Sequence, residues 1–242
     1  MKSIFSLYKL KMSIVLKSTV LVVPTVMTVI FLGIMYSVQP QQITGSFLLS
    51  GFFLFAISVF LSMMIQLKEN DVQEEMLLLH SNSELGYYMA REMVLVGISF
   101  VYAIIVIAYP VIRSCLNPGF FTRPLKVEDV IYGGLIVVGS GLCGIAVGDL
   151  FHHRIFGHAR YTVIGVIFVS LLAFCKYGLI DNFSFLKILH IIMPPITDGL
   201  KMVGNTDIFD RAGSLKIFAH MLIFSAAAVV IKIRLLKYLK FR

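Results

Sequence analysis

Long apolar runs, separated by short polar connections, make up most of the chain. A helix needs roughly 20 residues to cross a hydrocarbon core about 30 Å thick, and runs of that length recur from one end of the chain to the other. The pattern predicts an all-α membrane protein in which residues 1–242 form a single transmembrane domain. We predict six transmembrane helices, at residues 18–38, 46–67, 93–112, 130–150, 161–180 and 213–232.

The amino-terminal arm, residues 1–17, precedes the first apolar run and is amphipathic. Lysines and serines recur at helical spacing on one side, and the apolar face is formed by Phe5, Tyr8, Met12 and Val15. A helix of this type lies in the membrane interface, with its lysines toward anionic headgroups. We predict an interfacial helix here; the alternative is that the arm is the inner end of a longer first helix.

Composition supports the membrane class and gives an orientation. The chain is 58% hydrophobic with a mean hydropathy of +0.90, and 14% of its residues are charged, against roughly a quarter in soluble proteins. The net charge of +8 lies mostly in the flanks of the apolar runs, so we assign it to membrane topology and predict no nucleic-acid partner. Lys and Arg number 13 on the side of the two termini and 8 on the other. Because cytoplasmic loops are enriched in these residues, we predict that both termini are cytoplasmic.

Asp149 and the histidines that follow it are the strongest candidates for a metal or catalytic site. Asp149 stands three or four positions before His152 and His153, so on a continuing helix they share one face, and His158 is nearby. A complete site needs further ligands with fixed partners, and none stands at a recognisable spacing. The three cysteines lie in separate segments without a C-x-x-C pair. We therefore predict no metal site, no bound cofactor and no enzymatic activity in this chain.

The connection between the second and third predicted spans, residues 68–92, combines acidic and apolar residues. Its first half is acidic, and a Ser-Asn-Ser break follows an apolar cluster formed by Met76, Leu77, Leu78 and Leu79. A short helix with exposed Leu and Met beside an acidic cluster suits the docking of a soluble partner. The alternative is a solvated loop whose acidic residues keep it out of the bilayer.

This segment resembles the ABC-2-type permeases of bacterial exporters, in which the region includes a coupling helix that contacts the ATPase. In those permeases a Glu is followed by a Leu pair, a turn that often contains proline, and a basic residue in the next helix. Here Asn82 and Ser83 replace the proline-containing turn, and Arg91 stands for the basic residue. The resemblance implies that the residues coupling this chain to an ATPase are Glu74, Glu75, Leu77, Leu78 and Leu79.

The resemblance also implies which partners this chain has and what its function is. The chain has no G-x-x-x-x-G-K-[ST] phosphate loop, so ATP and Mg²⁺ are expected in separate ABC ATPase subunits. A second permease subunit, identical or related, and membrane lipid are the other expected partners. We expect a permease of the bacterial plasma membrane that exports an amphipathic or hydrophobic substrate, with a peptide preferred over a drug or a lipid. The alternative is a membrane assembly factor or sensor without an ATPase.

Residues 185–193 form an apolar run that is too short to cross the membrane and is ended by Pro194 and Pro195. The run resembles the short re-entrant helix that these permeases place on the outer side before the last span. An amphipathic surface helix is the alternative.

The predicted spans are nearly free of charge, with Lys176 and Lys216 assigned to span ends. Ion-coupled carriers bury ionisable groups at mid-membrane, so this pattern favours an externally driven machine. In the fourth span Gly144 and Gly148 form a G-x-x-x-G frame. The frame predicts close helix packing, either within the chain or in a dimer.

Overall fold

The computed structural model of the protein describes residues 4–69, 74, 76–78, 83–152, 158–182, 193–202 and 207–238. In this part of the chain the regular structure is helical and contains no β-strand. Two short 3₁₀-helices, Thr19–Leu21 and Thr197–Met202, stand between the longer helices. The long helices are α1 (Ile4–Lys17), α2 (Val22–Met35), α3 (Ile43–Lys68), α4 (Glu84–Leu116), α5 (Val127–Leu150), α6 (Ala159–Asn182) and α7 (Arg211–Tyr238). Residues 76–78 are also helical, and we call them the linker turn.

Five helices, α3 to α7, are long and apolar enough to cross a membrane. The helix α2 has 14 residues, or about 21 Å at the rise of an α-helix, which is shorter than the hydrocarbon core. Only together with α1, as a pair bent by 64°, does this region meet the same criteria. The five helices agree with the predicted all-α membrane protein, and a sixth crossing at residues 18–38 stays a prediction.

The chain bends sharply at Ser18, between α1 and the first 3₁₀-helix. The Ser18 hydroxyl donates to the Val15 carbonyl oxygen at 2.7 Å and accepts from the Val20 N–H at 3.4 Å, so it satisfies backbone groups that the break exposes. Of the predicted apolar face of the arm, Val15 is buried whereas Phe5 is exposed. Lys11 is buried as well, so this lysine points into the protein and not toward headgroups.

The centre of the fold is the pair α3 and α5, whose backbones come into contact. A Cβ atom at Gly144 would overlap the Phe55 carbonyl oxygen, and a Cβ atom at Gly148 would lie 2.7 Å from the Val59 carbonyl oxygen. Only glycine permits this approach of two helix backbones. The G-x-x-x-G frame therefore makes a contact within the chain.

The helices α6 and α7 flank this central pair and are less buried. The helix α6 contacts α3 through Phe174, whose ring is edge-on to Phe52 and Phe55 at centroid distances of 6.0 and 5.5 Å. The helix α7 packs on α5, where the Met221 carbonyl oxygen accepts from the Cys143 thiol at 3.6 Å. Both helices expose many large apolar side chains, which suits a lipid-facing position.

Asp207 ties several loops together at the end where α3 begins, which we call the outer end. Its carboxylate accepts from the Ile43 and Thr44 N–H groups at 3.0 and 2.8 Å and from the Thr122 hydroxyl at 2.7 Å. Arg123 Nε donates to the Asp207 carbonyl oxygen at 3.0 Å. Burial raises the pKa of the Asp207 carboxyl, but hydrogen bonds from Thr122 and Thr44 outweigh burial, and the pKa is lowered. Asp207 thus caps α3 from a segment that is distant along the chain.

The outer re-entrant helix predicted at residues 185–193 lies outside the described residues, except for its last position. The chain is described again from residue 193, and it forms the second 3₁₀-helix. That helix lies against α3, because a Cβ atom at Gly199 would overlap the side chain of Leu48. The segment before α7 therefore packs onto the bundle, and the re-entrant helix itself stays a prediction.

Candidate functional site: a buried ionic cluster

Charged side chains from five helices or helix ends meet where α3 ends and α4 begins, which we call the inner end. An unpaired charge in a low-dielectric interior is costly, so burial of such groups requires pairing. The paired groups come from α1, the residue after α3, the start of α4, the end of α5 and the end of α7. We call them the inner ionic cluster: Lys11, Glu69, Arg91, Glu92, Asp149 and Lys232.

Arg91 occupies the centre of the cluster and is buried. Its Nη2 donates to Asp149 Oδ1 at 3.0 Å, and its Nη1 lies 3.4 Å from Glu69 Oε2. The same Nη1 lies 3.0 Å from Nε2 of His152. Because a guanidinium only donates hydrogen bonds, His152 accepts through Nε2 and is neutral, with its proton on Nδ1. Arg91 therefore joins the ends of α3 and α5 to the start of α4.

Lys232 extends the cluster to α7. Its Nζ forms an ion pair with Glu92 Oε1 at 2.6 Å, and it also pairs with Asp149. The Asp149 carboxylate is thus shared between two cations from two different helices, Arg91 of α4 and Lys232 of α7. In a low-dielectric interior these charge-assisted bonds are strong, so they fix the distance between the helix ends.

Glu69, the residue after α3, connects α1 to the cluster. Lys11 forms an ion pair with Glu69, and its Nζ donates to the Tyr87 hydroxyl at 2.9 Å. The Tyr87 hydroxyl in turn donates to Glu69 Oε1 at 2.7 Å. Burial raises the pKa of Glu69, but the charges of Arg91 and Lys11 and two hydrogen bonds lower it more, to about 2. Glu69 is therefore ionised at any physiological pH.

The residues that the sequence offers as metal ligands make other contacts in the structure. Asp149 and His152 are held by Arg91, His153 lies outside the described residues, and the ring of His158 contacts Tyr161 at a centroid distance of 5.8 Å. Within the described ranges, no group of three or more His, Cys, Asp or Glu side chains is placed to hold a metal ion. The cluster is suited to holding helix ends in register.

Glu74, the first predicted coupling residue, lies beside this cluster. Its side chain is buried, and its charge acts on Lys11, Tyr87 and Arg91. Glu75 and Leu79, two of the other predicted coupling residues, lie outside the described residues. Glu74 therefore interacts electrostatically with groups of this same chain.

The linker turn carries the remaining predicted coupling residues. Leu77 and Leu78 are half-buried and pack against an apolar group from α4 and α7, formed by Tyr87, Tyr88, Ile233 and Leu236. The neighbouring Met76 is 59% exposed. The turn is therefore anchored on two helices by its leucines and presents a methionine on its surface.

Sequence reasoning identified the linker turn and Arg91 but missed four members of the cluster, Lys11, Glu69, Glu92 and Lys232. Lys11 and Lys232 count in the sequence only as charges in membrane flanks, and Glu69 and Glu92 belong to no recognisable motif. A usable signal existed for Lys11, because it follows Tyr8 by three positions and precedes Val15 by four, on the side of α1 that packs inward. No comparable signal marks Glu69 or Glu92.

A second charged group lies between α6, the second 3₁₀-helix and α7. Lys176 Nζ is 3.1 Å from Asp198 Oδ1, and His220 Nδ1 is 3.6 Å from Asp198 Oδ2. Lys176 is buried, and it follows Phe174, which packs on Phe52 near the middle of α3. Lys176 lies three positions before Leu179, the end of the apolar part of α6, so its place near a span end agrees with the prediction. A buried charge is costly unless it is paired, and Asp198 supplies the opposite charge here.

Comparison with known proteins gives no match. No protein-family model, no curated protein and no solved structure matches this chain. The resemblance to ABC-2-type permeases therefore rests on the sequence features alone.

Proposed function

We propose that this chain is the membrane-spanning permease subunit of an ATP-driven exporter, coupled to separate ABC ATPase subunits that bind ATP and Mg²⁺. In this proposal the chain crosses a bacterial plasma membrane six times, with both termini in the cytoplasm, and it pairs with a second permease subunit. The substrate is amphipathic or hydrophobic, and a peptide is the preferred class. The resemblance of residues 68–92 to such permeases and the five apolar helices support the proposal.

The observation that carries the proposal is the position of the linker turn. Leu77 and Leu78 rest on the inner ends of α4 and α7, and Glu74 lies beside the inner ionic cluster. A force applied to this turn reaches two helices directly through apolar contacts. It reaches α1, α3 and α5 through the ion pairs of Lys11 and Arg91. One small segment is therefore mechanically connected to most of the bundle.

The exposed Met76 is the natural contact for the partner. Methionine is flexible and polarisable, and it is frequent on surfaces that bind other proteins. Its neighbours Leu77 and Leu78 are occupied by contacts within the chain. We therefore assign docking to Met76 and internal transmission to Glu74, Leu77 and Leu78.

The test is co-purification with a candidate ABC ATPase subunit, together with a measurement of ATPase stimulation. We expect Met76→Glu to weaken binding by about tenfold or more, as for a residue at the centre of an interface. Glu74→Gln is expected to leave binding unchanged and to lower the stimulation, because Glu74 lies inside the chain.

The matched control is Leu116→Glu, which adds the same charge at another exposed apolar position, the outer end of α4. It should leave binding unchanged. Wild-type binding by Met76→Glu would contradict the docking assignment, and failure of the wild-type chain to bind any ABC ATPase would favour the assembly factor or sensor.

A second candidate, an ion-coupled transporter, is favoured by the ion pair between Lys176, which is buried, and Asp198, which is partly exposed. Carriers of that class place ionisable groups inside the membrane because the coupled ion must be bound there. The two proposals differ in their energy source. Purified chain in vesicles, without an ATPase, should show no uptake driven by a pH or sodium gradient if the exporter proposal is right. Gradient-driven uptake that Asp198→Asn abolishes would assign the chain to the second class.

A further inference from the structure

A cavity of about 210 Å³ adjoins the inner ionic cluster, between α1, α3 and α4. Its walls are mostly apolar and include Val15, Ile65 and Val94, whereas one end is formed by charged residues, among them Lys11 and Lys68. The cavity opens beside the bend between α1 and α2, the position at which the amphipathic arm meets the first apolar run. An occupant must therefore have a polar group and an apolar chain.

The charges at this cavity are not equivalent. Lys11 and Arg91 also line the cavity, as does the Glu69 carboxylate with which both are paired. The Lys68 Nζ instead donates to the Thr19 hydroxyl at 3.0 Å, and Lys68 is exposed at the cavity. Ser18 lines the cavity as well, but its hydroxyl already donates to the Val15 carbonyl oxygen. The Lys68 amine together with the Thr19 hydroxyl is a donor set suited to a phosphate group.

We propose that this cavity binds one anionic phospholipid, with its phosphate at Lys68 and Thr19 and part of an acyl chain along the apolar wall. The volume supports a membrane lipid over a whole substrate, because pockets for drug-sized ligands measure roughly 300–1,000 Å³. A lipid needs to insert only one segment here, and the rest of it stays in the bilayer. The inner end also carries the excess of Lys and Arg that attracts anionic lipids.

The experiment uses the absence of tryptophan from the chain. Ile14 lines the cavity and is exposed, so Ile14→Trp places a single fluorophore at the rim. Ile223→Trp, on the exposed face of α7, is the matched reporter away from the cavity. Each full-length variant is reconstituted in vesicles, and its fluorescence is quenched with brominated phosphatidylglycerol or brominated phosphatidylcholine.

At Ile14→Trp we expect half-quenching at a mole fraction of the brominated phosphatidylglycerol about fivefold lower than that of brominated phosphatidylcholine, the preference that one lysine contributes. At Ile223→Trp the two lipids should quench alike. Adding Lys68→Gln to the Ile14→Trp variant should remove the preference for phosphatidylglycerol, whereas adding Lys68→Arg should keep it. Lys9→Gln, which removes the same charge from an exposed position of α1, should leave it unchanged.

Three results would overturn the proposal: equal quenching by the two lipids at Ile14→Trp, the same preference at both reporters, or an equal effect of Lys9→Gln and Lys68→Gln. In a final measurement, a brominated fatty acid is added to phosphatidylcholine vesicles as the quencher. Strong quenching by it at Ile14→Trp, without a phosphatidylglycerol preference, would make the occupant a single-chain amphiphile. Lipid binding is measured without an ATPase, so its outcome is independent of the exporter proposal.

Discussion

Each cation of the inner ionic cluster is bonded to groups from more than one helix. Arg91 lies within ion-pair distance of Glu69 and Asp149, and Lys232 pairs with Glu92 and Asp149. Removing one partner from such a network leaves another charge buried without compensation, which costs about 3–5 kcal/mol. The cluster therefore behaves as a unit, and its members are not interchangeable surface charges.

Glu69 gives the cluster a measurable pH dependence. Because its pKa is about 2 in the folded protein and about 4.3 in an unfolded chain, its contribution is complete above the unfolded value and is lost as the pH falls toward 2. The contribution is on the order of 3 kcal/mol. We expect thermal unfolding in detergent to show a steeper loss of stability between about pH 4.5 and 2 for the wild type than for Glu69→Gln.

The control for this experiment is Glu128→Gln, at an exposed pair with Arg211 on the outer end. Its unfolding temperature should follow the wild-type pH dependence. Parallel curves for Glu69→Gln and the wild type would show that Glu69 does not couple protonation to folding.

At the scale of elements, hydropathy identified the apolar part of each long helix but not where the whole helix begins and ends. The run predicted at 93–112 is the apolar part of α4, which begins at Glu84 and ends at Leu116. The first turns of α4 contain Tyr87, Arg91 and Glu92. Because these residues are polar, the mean hydropathy there is low and does not show that the helix begins so early. The Ser83 hydroxyl, which accepts from the Gly86 N–H at 3.0 Å, is the local signal that starts the helix.

The site was predictable only in part, for a physical reason. The linker turn was visible because its acidic and apolar residues are neighbours in sequence. The ion pairs were not visible, because their partners are far apart along the chain: Lys232 is 140 positions from Glu92 and 83 from Asp149. Periodicity indicates which face of a helix is apolar, but it contains no information on which helices are adjacent.

The contact of α3 with α5 gives a prediction at the element scale. Gly144→Ala places a Cβ against the Phe55 carbonyl oxygen, so the two helix backbones must separate. We expect a loss of about 1–3 kcal/mol, the usual cost of overpacking, measured as a lower unfolding temperature in detergent.

Gly134→Ala is the matched control in the same helix, because its Cβ would meet only the end of the Ile107 side chain at 3.5 Å. This change should be neutral or stabilising, since Ala favours a helix more than Gly does. An equal loss for the two variants would mean that helix propensity or lipid contacts, and not the approach to α3, determine the effect.

At the scale of the whole molecule, Asp207 connects distant segments at the outer end of the bundle, as the inner ionic cluster does at the inner end. Asp207→Ala removes the acceptor of the Ile43 and Thr44 N–H groups and of the Thr122 hydroxyl. We expect a loss of about 2 kcal/mol and faster hydrogen exchange at the start of α3 and in the loop that contains Thr122.

Asp210→Ala removes a cap within one segment, since the Asp210 carboxylate accepts from the Gly213 N–H at 2.8 Å. Its effect on exchange should stay at the start of α7. If Asp207→Ala changes exchange only around residue 207, the outer loops do not depend on Asp207 for their association.

The outer tie at Asp207 has a consequence for how the bundle moves. Its bonds join three loops through short, directional contacts, and opening that end requires them all to break. The inner end is held separately, by the ion pairs that join α1, α3, α4, α5 and α7. We therefore expect that breaking the contacts at one end leaves the helices joined at the other, which then acts as the hinge of any rearrangement.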